Sequence, residues 1–318
     1  MSRRRERTIG MAIAALYLVL AAVVPGFFSR ENLSDLFLGN FPVLLIAMGA
    51  TLVILAGEID ISVGSLFAVC GVLAGAAALA GLPLPLVVLL SCAAGALIGA
   101  GNGALVAYAG LPSIVVTLAT MVILREGLRW VTQGAWVQGL PASFQWLGLA
   151  QASYPLAALT IVGVLQVLLS WSSRRVAALR TVYATGSDPQ SARLAGISVE
   201  RVKLAVFAAG GAFTGLAAVL NAVRFNQIPS NAGIGLEMKV VAAVVVGGAA
   251  VTGGRGSFTG TLLGVILLAT IGPALVFLGV TSYWERAIHG AIVLVAVAAD
   301  AWGARRSARR RAIEVAAT

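Results

Sequence analysis

The sequence predicts an all-α, polytopic membrane protein of about ten transmembrane helices, with both termini inside, and three observations carry that prediction. Only 11% of its 318 residues are charged and 59% are hydrophobic, against roughly 25% charged in a soluble domain. The mean hydropathy is +0.97. Apolar stretches near the ~20 residues needed to cross a bilayer recur from one end of the chain to the other. A large core does not explain the missing charge, because a soluble surface still needs polar groups. Lipid removes that need. It also obliges the backbone to satisfy its own hydrogen bonds, and no alternation of ~10-residue strands points to a barrel, so the spans are helices.

The expected spans are 8–28, 40–57, 63–80, 86–108, 113–131, 154–171, 204–222, 236–252, 257–279 and 285–301. The first follows Arg3, Arg4, Arg5 and Arg7 but ends in Val23-Val24-Pro25-Gly26-Phe27 without an A-x-A cleavage signature, so it reads as a retained span rather than a signal peptide. Fifteen of the 22 Lys and Arg fall in three places: the N-terminal run, Arg174–Lys203, and Arg305–Arg311. Cytoplasmic segments keep basic residues in this way. With the N-terminus inside, the middle cluster follows the sixth span and the tail follows the tenth, so all three share one face. The layout is then a basic N-terminal arm (1–7), a transmembrane domain (8–303) with a long cytoplasmic loop at about 172–203, and a basic tail (304–318), in a multi-pass protein of a bacterial inner membrane.

This segregation of charge is a topology signal; a net charge of +10 spread in this way is not a nucleic-acid footprint. Its partner is the bilayer. Cys70, Cys92 and His289 are scattered in apolar stretches and make no metal site by spacing. No constellation of His, Cys or Ser supports catalysis. The only lysines are Lys203 and Lys239, preceded by Val202 and Met238, so the chain has no Walker A phosphate loop. Any ATP and Mg belong to a separate ATPase.

Four features carry chemistry. Glu58 and Asp60 stand between two apolar stretches, in Gly57-Glu58-Ile59-Asp60-Ile61-Ser62-Val63-Gly64-Ser65. Carboxylates at membrane depth are costly and usually functional. A hairpin at the interface, with Ser62 or Asp60 capping the next helix, is the structural alternative. In the long loop, Ser187 or Asp188 is placed to N-cap a helix begun by Pro189 and stopped by Gly196. That helix, carrying Arg193 and Leu194, is about two turns long and needs a partner to hold it. Ser198 and Glu200 then start the seventh span. Within the spans, Asn102, Thr117, Thr120 and Asn221 are uncharged hydrogen-bonding groups suited to a neutral polyol, although Ser and Thr also bond to their own helix backbone. After the fifth span, Trp130, Gln133, Trp136, Gln138, Phe144, Gln145 and Trp146 combine aromatic faces with amides, as a sugar contact or an interfacial belt does. The spans are also rich in small residues: Gly95 with Gly99, and Gly211 with Gly215, are small-xxx-small pairs that allow close helix packing. A weak internal echo links the break at 57–65 to the one at 252–257.

Four motifs, in order from about residue 45 to 300, resemble one family. The 57–65 segment is similar to the G-G-I-D-L-S-V-G-S signature of ribose-type ABC transporter permeases. Leu111-Pro112-Ser113-Ile114-Val115-Val116-Thr117-Leu118-Ala119-Thr120-Met121, the stretch from Ala184 to Lys203, and Gly247-Gly248 followed by Gly253-Gly254-Arg255-Gly256-Ser257 resemble its other elements. The resemblance implies a pair of permease subunits (two copies or two paralogues), cytoplasmic ABC ATPases and a periplasmic sugar-binding protein. It also implies that Asp188–Gly196 is the coupling helix, and that Glu58, Asp60, Ser62 and Gly64 form a signature break or gate. Glu58 replaces the second Gly of that signature and Asp188 the usual Asn. With the Trp-rich stretch, Glu58 resembles the rhamnose and autoinducer-2 branches more than ribose itself. An ion-coupled secondary carrier using Glu58 and Asp60 is the alternative class.

Overall fold

The computed structural model describes residues 2–24 and 26–281, with a few isolated positions beyond. The expected tenth span falls almost entirely outside these residues, as do His289 and the basic tail. The chain forms helices α1 (Ser2–Val23), α2 (Arg30–Leu55), α3 (Val63–Leu79), α4 (Leu84–Ala107), α5 (Ser113–Thr132), α6 (Tyr154–Arg175), α7 (Ala177–Ser187), α8 (Pro189–Leu194), α9 (Val199–Ala222), α10 (Leu236–Val246) and α11 (Phe258–Phe277). Two short strands, β1 (Val137–Gln138) and β2 (Gln227–Ile228), pair antiparallel. By length and composition, α1, α2, α4, α6, α9 and α11 are each able to cross a membrane.

Nine of the expected spans correspond to helices, with informative differences. The basic run that was expected as a separate arm is continuous with α1. Helix α2 starts ten residues before the expected span, capped by Ser29, whose Oγ accepts from the Asn32 N–H at 3.2 Å. Helix α5 carries Arg125, Glu126 and Arg129 near its far end. The eighth span is corrected most: α10 has only 11 residues, about 16 Å of rise, roughly half of the ~30 Å hydrocarbon core. The preceding segment is strand and turn rather than helix. Ile228 lies against Gly71 and Gly75 of α3, and Gly233 lies against Gly64 nearer the start of that helix. The segment therefore runs alongside α3, where the glycines leave it room.

Helix α9 is the hub, packing on α2, α3 and α4. The predicted small-residue pairs make its closest contact. A Cβ added at Gly95 would strike the Gly211 carbonyl, one at Gly211 would strike the Gly95 carbonyl, and one at Gly215 would strike Ser91. Ser91 Oγ donates between the carbonyls of Cys70 and Gly215, 3.2 Å from each. Two backbones meet here with no side chain between them, as lipid-embedded helices do in the absence of a hydrophobic drive.

The connections sort to two ends. The breaks at 56–62 and 247–257, the start of α1 and the α7–α9 segment gather at one end; Ser257 Oγ donates to Glu6 Oε1 at 2.6 Å. The loop after α5 and the one after α9 gather at the other, where Trp146 N–H donates to the Val223 carbonyl at 2.7 Å and Gln145 to Asn226 Oδ1 at 3.1 Å.

Candidate functional site

The α8 end is built from local caps upward. Asp188 Oδ1 accepts from the backbone N–H groups of Gln190 and Ser191 at 3.0 and 3.2 Å, and Oδ2 accepts from the Ser191 hydroxyl at 2.5 Å. Pro189 opens the helix, where its missing N–H is no loss. At the other end Gly196 has φ +80°. Its N–H reaches the Arg193 carbonyl at 2.9 Å and the Ile197 N–H reaches the Ala192 carbonyl at 3.0 Å, a Schellman closure. Asp188, not Ser187, is the cap; Ser187 ends α7. Arg193 pairs with Glu200 of α9 at 2.7 Å, and Ala192 is buried beneath the helix. Leu194 is 86% exposed, an apolar side chain that this chain leaves uncovered. The Ser191 hydroxyl and N–H hold the exposed Asp188 carboxyl below its ordinary range.

The segment leading into α8 sits on both breaks. A Cβ at Gly186 would meet the Leu55 carbonyl and Gly254 N, and one at Gly253 would meet Gly57 and the Gly186 carbonyl. Gly254 N–H donates to the Leu55 carbonyl at 2.9 Å, and Tyr183 Oη donates to the Gly256 carbonyl at 3.2 Å. The two breaks that echo each other in sequence are thus in direct contact. Glycine is needed at 253 twice over, for its φ of +85° and for the absence of a side chain.

The 56–62 break is also tied outward. Glu58 Oε1 lies 2.5 Å from Lys203 Nζ, with both side chains largely covered. Asp60, 4% exposed, accepts through Oδ1 from Ser62 N–H at 2.8 Å and from Ser62 Oγ at 2.6 Å; its Oδ2 has no partner. The expected Ser62 side-chain cap does not form; that hydroxyl donates to Asp60 and its oxygen faces Asn102. Ser62 Oγ in turn accepts from Asn102 Nδ2 at 3.1 Å, and Asn102 Oδ1 accepts from Thr120 Oγ1 at 2.6 Å. Thr117 Oγ1 donates to the Ser113 carbonyl at 2.8 Å and touches the Ile59 carbonyl at 3.4 Å. A single polar chain thus joins the start of α3 to α4 and α5. Gly64 abuts Gly233 and the Glu237 carboxylate.

The four uncharged residues expected along a pathway are not gathered in one place. Asn102 and Thr120 edge a wide, largely apolar groove beside α4 and α5, with polar atoms already bonded to each other and to Ser62. Thr117 is buried, and Asn221 lines a different cavity at the far end. The aromatic stretch divides too. Phe144 is buried, Trp146 packs edge-on to Tyr154 at 5.4 Å, and Trp130 and Trp136 are exposed.

The permease family described as "Branched-chain amino acid transport system / permease component" matches residues 32–297, most of the chain and both breaks. The chain belongs to that family. The permease is similar to the autoinducer 2 import system permease protein LsrC of Salmonella typhi, 37% identical over 295 residues, covering 91% of this chain and 84% of that one. It is also similar to the protein of the same name from Escherichia coli O9:H4 (strain HS), 37% identical over 297 residues, 90% and 85% of the two chains. No solved structure matches the permease. The resemblance to carbohydrate ABC permeases read from the motifs is borne out, and the permease is a multi-pass inner-membrane transport protein.

Three positions escaped sequence reasoning. Lys203 is the partner of Glu58; it and Gly186 stood in the motif from Ala184 to Lys203, but nothing there named their partners. Glu237 carried no local signal, because its partner lies across the fold.

Proposed function

We propose that the permease is the membrane-spanning subunit of an ATP-binding-cassette importer for a small polyol of the autoinducer-2 or rhamnose kind. It has ten spans, both termini inside, and α8 as its coupling helix. The observation that carries this reading is the construction of α8: six residues, capped at both ends, anchored by Ala192 and Arg193, with Leu194 offered to solvent beside the junction of both breaks. A helix this short is unstable alone, so its rigidity serves a contact. A cytoplasmic ATPase pressing on Leu194 moves Gly186, and Gly186 touches Gly57 and Gly253. Partners are that ATPase, a second permease copy or paralogue, and a periplasmic sugar-binding protein. ATP and Mg stay on the ATPase. Asp188, Pro189, Arg193, Leu194 and Gly196 couple; Glu58, Asp60, Ser62 and Gly64 gate. The relatives named for autoinducer 2 import support the substrate class.

Affinity purification from membranes tests the reading. A stoichiometric ATPase should accompany the wild type and be lost with Leu194→Asp. Gly196→Val should insert normally but lose transport and coupled ATP hydrolysis, since a branched residue is strained at that φ. Coupled activity at wild-type level in Gly196→Val, or uptake that survives without ATP and collapses with an uncoupler, rejects it. The latter outcome favours the ion-coupled carrier, which needs both carboxylates available although Glu58 is held by Lys203.

A further inference from the structure

We propose that the cavity at the end opposite α8 is a binding site for a small polyhydroxylated molecule in transit. The inference rests on the importer reading and gives its cargo a place in this chain. The cavity encloses about 420 Å³, within the range of about 300–1,000 Å³ common for small-molecule sites. Asn40 and Pro42 of α2, Asn221 of α9, Lys239 of α10, Trp136, Phe225 and Gln227 form its chemically distinctive walls, and no carboxylate lines it among the described residues.

Three observations point to a ligand. The first is unspent hydrogen-bonding capacity. The side-chain amides of Asn221 and Gln227 have no partner among the described residues. Each amide offers both donors and an acceptor, the complement of a hydroxyl. In the groove beside α4, by contrast, the Asn102 and Thr120 groups are bonded internally.

The second is the wall itself. Part of it is non-helical backbone between β2 and α10, running beside α3. Irregular backbone within a bundle is tolerated where it is buried in protein or lines a cavity, and transporter sites form at broken helices.

The third is a missing rung of the continuous helix α2, made good from outside. Pro42 has no N–H, which leaves the Leu38 carbonyl of α2 without its helical donor. Arg224 Nη1 donates to that carbonyl instead. The same guanidinium lies 5.9 Å from the Phe41 ring and 5.2 Å from the Phe225 ring, which fixes Phe225 at the wall. The β1–β2 register, Val137 with Ile228 and Gln138 with Gln227, brings Trp136 across from Pro229 at the rim. Two exposed aromatic faces, the amides of Asn221 and Gln227 and the Lys239 side chain, with no carboxylate among the described residues, match a molecule with apolar C–H faces and many hydroxyls.

The test uses the complete importer in vesicles, with labelled L-rhamnose and autoinducer-2 as probes. Trp136→Ala and Asn221→Leu should each lower import of the transported probe roughly tenfold, the loss expected when one good contact goes. Membrane abundance and co-purification with the ATPase should be unaltered, and Trp136→Phe should restore import. If Asn221→Leu fails to reach the membrane, Trp136→Ala against Trp136→Phe decides. Wild-type import in Trp136→Ala overturns the site, as does a wild-type importer that neither imports nor binds either probe. Import by the wild type without any ATPase rejects the importer reading instead, and the Trp136 comparison then still judges the cavity.

Discussion

The two ends of the permease are built from opposite materials. At the α8 end, backbone meets backbone: Gly57, Gly186, Gly253 and Gly254 pack with no side chains between them. At the far end, side chains from α2, α9 and two loops surround a hollow. The first kind of contact has no slack, so movement of one segment must move the next. The second has slack and unspent hydrogen-bonding groups. The importer proposed above, pushed at α8 and holding its cargo in the cavity, would use that division.

Matched glycines break or sharpen the contrast most strongly. Gly253 and Gly235 have nearly the same backbone, φ +85° and +81°, but an added Cβ at Gly253 meets Gly57 Cα at 2.7 Å and the Gly186 carbonyl at 2.8 Å, whereas one at Gly235 meets nothing within 4 Å. Gly235→Ala should cost about 1–2 kcal/mol from its left-handed backbone. Gly253→Ala should cost about 3–5 kcal/mol, because overpacking adds to that strain. Thermal unfolding of the purified variants in detergent measures the difference. Equal losses would mean that the α8 end is no tighter than the cavity wall.

The next effect concerns charge. Glu58→Lys or Lys203→Glu should each destabilise the α8 end by on the order of 3 kcal/mol, because each leaves two like charges facing in a mostly covered place. The double exchange should recover most of the loss. Import and unfolding temperature read both. A double variant no better than either single one would show that the pair does not join the break to α9.

How much of this was legible depends on the range of each interaction. The α8 caps were readable because they are made within a few residues: Asp188 to Ser191, and Ala192 to Ile197. The spans were readable because lipid imposes composition. The ion pair was not, since Glu58 and Lys203 are brought together only by α9 crossing α2. Nor was the short α10. The stretch Asn226–Gly235 has the Gly, Pro and Asn of a surface turn, and only the glycines of α3, far away in sequence, show that Ile228 and Gly233 pack on that helix. Of the four polar residues proposed for a pathway, Asn221 alone lines the far cavity, because burial and bonding partners are not written locally.

A smaller, paired test compares Gly196 with Gly253. Gly196 has φ +80° and open space around it, so Gly196→Asn should be tolerated within about 1 kcal/mol, Asn being the other residue common in this cap. Gly253→Asn should fail to accumulate in membranes. Transport assays on Gly196→Asn and Gly196→Val then separate backbone conformation from side-chain size at α8.

The smallest expected effect is a pH dependence confined to α8. The Asp188 carboxylate is held below its ordinary range, first by the Ser191 hydroxyl and then by backbone N–H groups. A carboxylate with a lowered folded-state pKa stabilises fully above its unfolded value, about 3.9, and that contribution disappears as pH falls through the lowered value. Amide exchange at Gln190 and Ser191, corrected for intrinsic rates, should therefore show constant protection from pH 7 down to about 5 and lose it only under strongly acidic conditions. Asp188→Asn should keep the cap, since Asn is an equally good N-cap, and remove the acidic step. Such a variant would convert a charged cap into a neutral one without changing α8. An acidic step that persisted in Asp188→Asn would assign the titration to another group and leave the Asp188 cap without an electrostatic part.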